Sequence, residues 1–328
     1  MSADRSLRPI VGDACSKMLS RVGIVNSKGL VDKTEMHLQE LLDISWEEAN
    51  AIRSEFEKKL AAKPSTALDL FLRSKKRRRI VTGLRIIDES LAGGIPCGSV
   101  TEIVGNSGIG KSQFCLTLTA QQCLFQEKSN VVYLDTENKF SSARLLEILT
   151  SDRWQSSRDA NSTVRTDLNR VLNRVRVLQP ESSKELLRTL QGLEKLVIEH
   201  DVGLIVLDSM AFHVLNDFDS SQIPRRQALL GSMASILKWI AETFSLPVVV
   251  TNHGRSDDGL SQPRAALGTA WSHCVNTRFL LSEDPMGRRS MVVAKSPIAG
   301  PVAAGYRICS EGFVPDDPPV CDVSPSCI

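Results

Sequence analysis

Eight residues, Gly105, Asn106, Ser107, Gly108, Ile109, Gly110, Lys111 and Ser112, spell G-x-x-x-x-G-K-S, a spacing suited to holding phosphate. The glycines let the backbone curl around an anion with its N–H groups pointing inward, and the helix that follows sets its positive end behind them. In such a loop Lys111 neutralises the β- and γ-phosphates and the Ser112 hydroxyl ligates Mg²⁺. The implied ligand is ATP or GTP with magnesium. Two further runs deliver acids to the same place. The apolar run 203–207 ends on Asp208, a candidate for holding the metal, and 131–134 leads through Asp135 to Glu137, a candidate for polarising an attacking water. The competing assignments are a turn residue for Asp208 and a surface acid for Glu137. A third run, 247–252, ends before His253, whose side chain is placed to contact a γ-phosphate.

The elements that must position these groups follow from the apolar pattern. Strand-like runs at 99–104, 130–135, 175–179, 203–208 and 247–252 alternate with helical runs at 111–126, 141–150, 183–200 and 226–244. Such alternation predicts a mostly parallel sheet flanked by helices. Short runs at 277–281, 291–295 and 306–309, separated by turns, predict an antiparallel C-terminal extension. Residues 1–62 read as a small helical domain with helices at 14–22, 33–42 and 45–60, the last opened by a Ser45/Glu48 capping box. Its expected core is Ile24, Leu30, Leu38, Leu41, Leu42, Ile44, Ala49, Ile52 and Phe56. Residues 63–82 read as a linker, 83–313 as the α/β domain, and 314–328, rich in Pro, Asp and Ser, as a disordered tail. The linker holds an apolar patch, 67–72, expected as a strand or anchor for a neighbouring sheet edge, or else as the end of the preceding helix. It also holds the basic run 75–79, suited to DNA contact or nuclear import.

Composition bounds the function classes. The chain has 328 residues, 42% of them hydrophobic, enough for a large core, and a net charge of only +2, so contact with nucleic acid must come from local clusters. Two segments offer them: 213–227 with Arg225 and Arg226, and 254–267, expected to be a mobile loop, with Arg255 and Arg264. Phe218 is the one aromatic platform there, and Asp257 and Asp258 oppose phosphate. Eight cysteines without a C-x-x-C pair speak against zinc and a disulfide framework. No apolar stretch reaches membrane-spanning length, and residues 1–10 lack a signal-peptide core, so an intracellular, soluble protein is expected.

Taken together, residues 91–96, the stretch 101–105 leading into the phosphate loop, Leu134 to Glu137, Arg144, Leu207 to Ser209, Pro247 to Asn252 and Asn276 to Arg278 resemble the RecA-type recombinases. Within that family they are most similar to the eukaryotic recombinase and its repair paralogues, and 269–278 with 294–297 resemble the B group of those paralogues. The resemblance covers essentially the whole chain. It implies an α/β RecA-like P-loop ATPase core with a small N-terminal helical domain, ATP and Mg²⁺ as cofactors, and slow DNA-dependent hydrolysis. It also implies Gln113 as part of the nucleotide site, Arg144 stacked on the adenine, and His253 at the γ-phosphate. His273 would sense a neighbour's nucleotide and Lys295 would cap it across a protomer interface, while 213–227 and 254–267 would be DNA loops. The implied partners are single-stranded and branched DNA, other paralogues in a heteromeric complex, and the main recombinase, in the nucleus and not at a membrane.

Two departures bear on that transfer. His253 stands where the family has glutamine, and the linker lacks the F-x-x-A polymerisation motif, with Ala67 and Phe71 in the opposite order. A filament-forming strand-exchange recombinase and a catalytically weak scaffold of the repair complex therefore stay open beside the expected assembly factor.

Overall fold

The computed structural model describes residues 7–25, 27–60, 64–126, 129–153, 168–255 and 264–316. The chain divides into two compact units, Met1–Lys76 and Arg77–Ile328.

The first unit contains α1 (Arg8–Arg21), α2 (Ser27–Val31), α3 (Glu35–Leu42), α4 (Trp46–Leu60) and α5 (Ala67–Lys76). Local chemistry sets their starts: Thr34 caps α3, and before α4 the Ser45 N–H donates to Glu48 Oε2 at 2.9 Å while Ser45 Oγ accepts the Glu48 N–H at 3.2 Å. Leu7, Val11, Leu19, Ile24, Leu30, Leu38, Ala49 and Phe56 form the core. Leu41, expected inside, faces solvent. The apolar patch of the linker is neither strand nor irregular linker; it is the first half of α5. Thr66 and Asp69 form a reciprocal cap, and residues 67–76 contain no β-branched side chain to disfavour a helix. Ala67 and Phe71 stand one turn apart on it, with Leu68, Leu70, Phe71 and Leu72 exposed.

In the second unit β1 (Arg79–Ile80) pairs with β2 (Ile95–Pro96), and a ten-stranded sheet carries the rest. Its strands are β3 (Val100–Gly105), β4 (Asn130–Asp135), β5 (Val175–Leu178), β6 (Val202–Asp208), β7 (Val248–Arg255), β8 (Arg264–Ala265), β9 (Thr277–Glu283), β10 (Arg289–Lys295), β11 (Ala303–Cys309) and β12 (Gly312–Pro315). The order is β12-β11-β10-β9-β3-β7-β6-β4-β5, with β8 on β7. Strands β3 to β7 are parallel, β9 lies parallel to β3, and β9 to β12 run antiparallel to one another. This is the expected parallel sheet with an antiparallel extension. The described chain continues in β12 past residue 313, because Tyr306 to Cys309 pair with Gly312 to Pro315.

Alternate residues of the parallel strands feed two cores on the two faces. Ile103, Val131, Tyr133, Leu204, Val206 and Val249 pack with α6 (Arg85–Ser90), α7 (Lys111–Phe125), α8 (Ser142–Thr150) and α9 (Leu168–Leu172). Val132, Leu134, Ile205, Leu207, Val248 and Val250 pack with α10 (Ser183–Glu199), α11 (Ala211–Asn216) and α12 (Ile223–Phe244). With both faces covered, the strands read as continuous apolar runs. A short helix, α13 (Gly268–Cys274), precedes β9.

One expected loop is mostly helix. Residues 213–227 contain the end of α11, a 3-10 turn at Ser220–Gln222 capped by Asp219, and the start of α12. Pro224 in the first turn of α12 starts that helix ahead of Arg225 and Arg226.

Candidate nucleotide-binding site

The wholly buried strand β3 enters the phosphate loop, and α7 leaves it at Lys111. Gly108 and Gly110 have φ of 81° and 112°, a region that favours glycine. Space requires glycine as well: a Cβ on Gly110 would lie 2.5 Å from Ile308 Cδ1, and one on Gly105 2.8 Å from Ile109 Cγ2. The loop is braced from the antiparallel strands. Tyr306, stacked on Phe313, donates its hydroxyl to the Ile109 carbonyl at 2.8 Å. Lys111 Nζ donates to the carbonyls of Gly105 and Asn106 at 2.8 and 2.9 Å, folded over its own loop. Burial lowers its pKa from the ordinary value, against the opposing pull of Asp208 and Glu137.

Strand register brings the acids to the loop. Gly105 pairs with His253, and Asp135 pairs with Asp208, so the ends of β3, β7, β6 and β4 lie along one edge. Asp208 is fixed through both oxygens: Tyr133 Oη donates to Oδ2 at 2.9 Å and Thr251 Oγ1 to Oδ1 at 2.5 Å. Burial and the Asp208 charge push the Tyr133 pKa far above its usual value, which keeps it a donor. The turn after β4 is shaped by Asp135, whose oxygens accept the N–H groups of Lys139 and Phe140 and the Gln179 amide. Thr136 ties this turn to Ser209 through its hydroxyl, which donates to the Ser209 carbonyl and accepts the Ser209 N–H.

Glu137 is thereby held among three donors. Ser209 Oγ and the His253 imidazole meet Oε1 at 2.8 and 3.1 Å, and Lys139 Nζ meets Oε2 at 2.6 Å. The hydrogen bond from His253, helped by Lys139 and Ser209 and opposed by burial, lowers the Glu137 pKa to about 2. Ser112 and Asp208 offer a hydroxyl and a carboxylate, the hard oxygen donor types that suit Mg²⁺. The glycine cradle with its lysine suits a polyphosphate.

The Rad51 family model matches residues 73–316. The chain belongs to the Rad51 family. It is 32% identical to "DNA repair protein RAD51 homolog 2" of Mus musculus, over 96% of this chain and 98% of that protein. The human protein of the same name is 35% identical over 74% of this chain and 70% of its own length. The Arabidopsis thaliana one is 32% identical over 91% and 87%. The core is thus a RecA-like, nucleotide-binding ATPase fold.

The structure brings some of the Rad51-type positions together and separates others. Arg144 is tethered through its N–H edges: Nε to Gln113 Oε1 at 2.8 Å, Nη1 to Glu147 at 2.7 Å, and Nη2 to the Cys309 carbonyl. It therefore links the first turn of α7 to the β11–β12 turn. Lys295 and His273 share the end of α13, where Lys295 Nζ donates to the carbonyls of Ser272 and Val275 at 2.8 and 2.6 Å and His273 is exposed. Burial and the charges of Arg278 and Lys238 lower the Lys295 pKa. Arg255 and Arg264 are cross-strand partners flanking 256–263, a segment outside the described residues. Arg225 and Arg226 stand in the first turn of α12, the former exposed and the latter half-buried. Tyr133, Lys139 and Tyr306 belong to the site although no sequence motif marked them, and Ser209 and Thr251 lie in stretches that carried the family resemblance without a role of their own. Only the hydroxyl on β4, two residues before Asp135, carried a signal: a phenol inside a wholly apolar run needs a buried acceptor.

Proposed function

We propose that this Rad51-family chain binds ATP with Mg²⁺ and serves recombinational repair as an assembly factor. In this reading it contacts single-stranded DNA, works in the nucleus in a heteromeric complex with other paralogues, and promotes loading or remodelling of the recombinase filament. The observation that carries it is the meeting of Lys111, Asp208 and the Glu137–His253 pair at one sheet edge. The likeness to repair proteins named RAD51 homolog 2 supports the rest.

Ser112 and Asp208 would hold Mg²⁺, which would supply positive charge against the phosphates when bound. The chain's own residues do the remainder. Lys111 exchanges its loop carbonyls for phosphate oxygens, and Arg144, fixed at its edges, offers a planar guanidinium to the base. Glu137 orients the attacking water, and while His253 holds its pKa at about 2 it is a weak proton acceptor. A γ-phosphate that drew His253 away would remove the largest cause of that depression and make Glu137 a better base. Nucleotide state then sets partner affinity through Lys295 and His273, and the exposed face of α5 with Ala67 and Phe71 offers a further partner surface. Arg225, Arg226, Arg255 and Arg264 supply the contacts to DNA phosphates.

The test is calorimetry with Mg-ATP and turnover with and without single-stranded DNA, followed by native co-purification. Binding, slow DNA-stimulated hydrolysis and paralogue partners are expected. Binding without any turnover would favour the scaffold, for which the saturated Glu137 already speaks. Homofilaments on single-stranded DNA would favour a recombinase.

A further inference from the structure

Glu102 lies wholly buried in β3, three residues before the phosphate loop, and the nucleotide chemistry above does not use it. Its Oε1 accepts from Asn252 Nδ2 on β7 at 2.7 Å and from Trp271 Nε1 on α13 at 2.6 Å. Its Oε2 accepts from Arg278 Nε on β9 at 2.5 Å. Arg278 in turn donates from Nη2 to Ser272 Oγ at 2.8 Å, and Lys295 holds the Ser272 carbonyl. One buried carboxylate thus joins β3, β7, β9 and α13. Satisfied among the described residues by these donors, it resists displacement of any one of them.

The strand it grips is the one that carries the γ-phosphate contact. Asn252 immediately precedes His253, whose imidazole sits on Glu137. Among the described residues the buried Asn252 Oδ1 has no hydrogen-bond partner, so this strand end keeps an acceptor that a second arrangement can satisfy. On the far side, α13 carries exposed His273 and is capped by Lys295. A movement of His253 moves Asn252, which shares one carboxylate oxygen with the Trp271 indole.

We propose that Glu102 is a positioning residue that couples occupancy of the γ-phosphate end of the site to the position of α13 and so to the surface formed by His273 and Lys295. The coupling rests on the nucleotide reading given above and adds the route by which nucleotide state reaches a partner-facing surface. A bound ligand shifts such an equilibrium only through contacts that differ between the two arrangements, and His253 supplies that difference.

The test uses the full chain and the double variant Trp271→Phe/Ser272→Ala. These changes cut both side-chain bonds from the hub to α13 and leave Glu102, Asn252, Arg278 and the phosphate loop in place. Amide hydrogen exchange across 268–278 is compared with Mg-ADP and with a non-hydrolysable Mg-ATP analogue, and calorimetry measures both affinities. In the parent chain the analogue should slow exchange about fivefold or more relative to ADP, and in the variant the difference should fall below about twofold with analogue affinity unchanged. An undiminished difference in the variant overturns the coupling, as does a parent chain that binds the analogue with no change in α13. A parent chain that binds neither nucleotide brings down the nucleotide reading itself, and the coupling with it.

Discussion

The parallel half of the sheet, β3 to β7, and the antiparallel half, β9 to β12, meet the phosphate loop in different ways. The parallel half carries the groups proposed to meet the nucleotide: Gly105 and Asp208 end their strands, Glu137 stands just past one, and His253 lies near the end of β7. Among the described residues the antiparallel half supplies support to that edge: Tyr306 beneath Ile109, Ile308 against Gly110, and the Phe313 N–H donating to Thr117 Oγ1 in α7. Strand direction explains the division. Parallel strands present all their carboxyl ends to one side, where loops can converge on a ligand, whereas antiparallel neighbours split their ends between two sides and serve better as a wall. The two halves join at β3 and β9, where Glu102 and Arg278 form a buried pair.

The largest effect is expected at that joint. Glu102→Ala leaves the Arg278 guanidinium unpaired and should lower stability by about 3–5 kcal/mol in chemical denaturation. An unchanged midpoint would mean the halves do not depend on it. Within the parallel half, Asp208→Asn should weaken Mg-ATP binding by about 100-fold, roughly 2.7 kcal/mol, while binding measured in excess chelator changes little. Equal losses with and without magnesium would remove the metal role.

In the antiparallel half, Tyr306→Phe leaves the Ile109 carbonyl unsatisfied and should cost about 1 kcal/mol of stability, with a few-fold loss of ATP affinity and no change in magnesium dependence. The smallest effect concerns Glu137. Its folded pKa of about 2 lies below the usual 4.5, so its stabilisation is complete above about pH 4.5 and is lost as pH falls through about 2. Discounted for solvent, Glu137→Gln should cost about 0.5–1 kcal/mol at pH 7, and the difference from the parent should narrow below pH 4.5 in denaturation at stepped pH. A difference constant with pH would contradict the three-donor cage.

The same division decides what the sequence discloses. The cradle, Asp208 and Glu137 are legible because a parallel α/β sheet needs apolar runs that end at its functional edge, so chemistry falls at recognisable places. Tyr306 and Ile308 are not legible, since nothing local in a β-hairpin reveals that it packs against a loop nearly 200 positions earlier. Residues 67–72 show the converse case. Their apolar content leaves a strand or anchor and the end of a helix both open, and the Thr66–Asp69 cap and the absence of β-branched residues make a helix. The segment 213–227 reads as a loop that gives way to a helix only at Arg226, and Pro224, which starts α12 ahead of Arg225, is the signal that reading leaves out.

The central claim is that a triphosphate binds where Lys111 now covers its own loop carbonyls. Titration calorimetry of Mg-ATP into the full chain and into Lys111→Ala, with circular dichroism to establish that both are folded, tests it most directly. The account predicts saturable binding to the parent chain and a loss of about 100-fold or more in the variant. Equal affinity in the two folded proteins, or no binding by the parent, would contradict it.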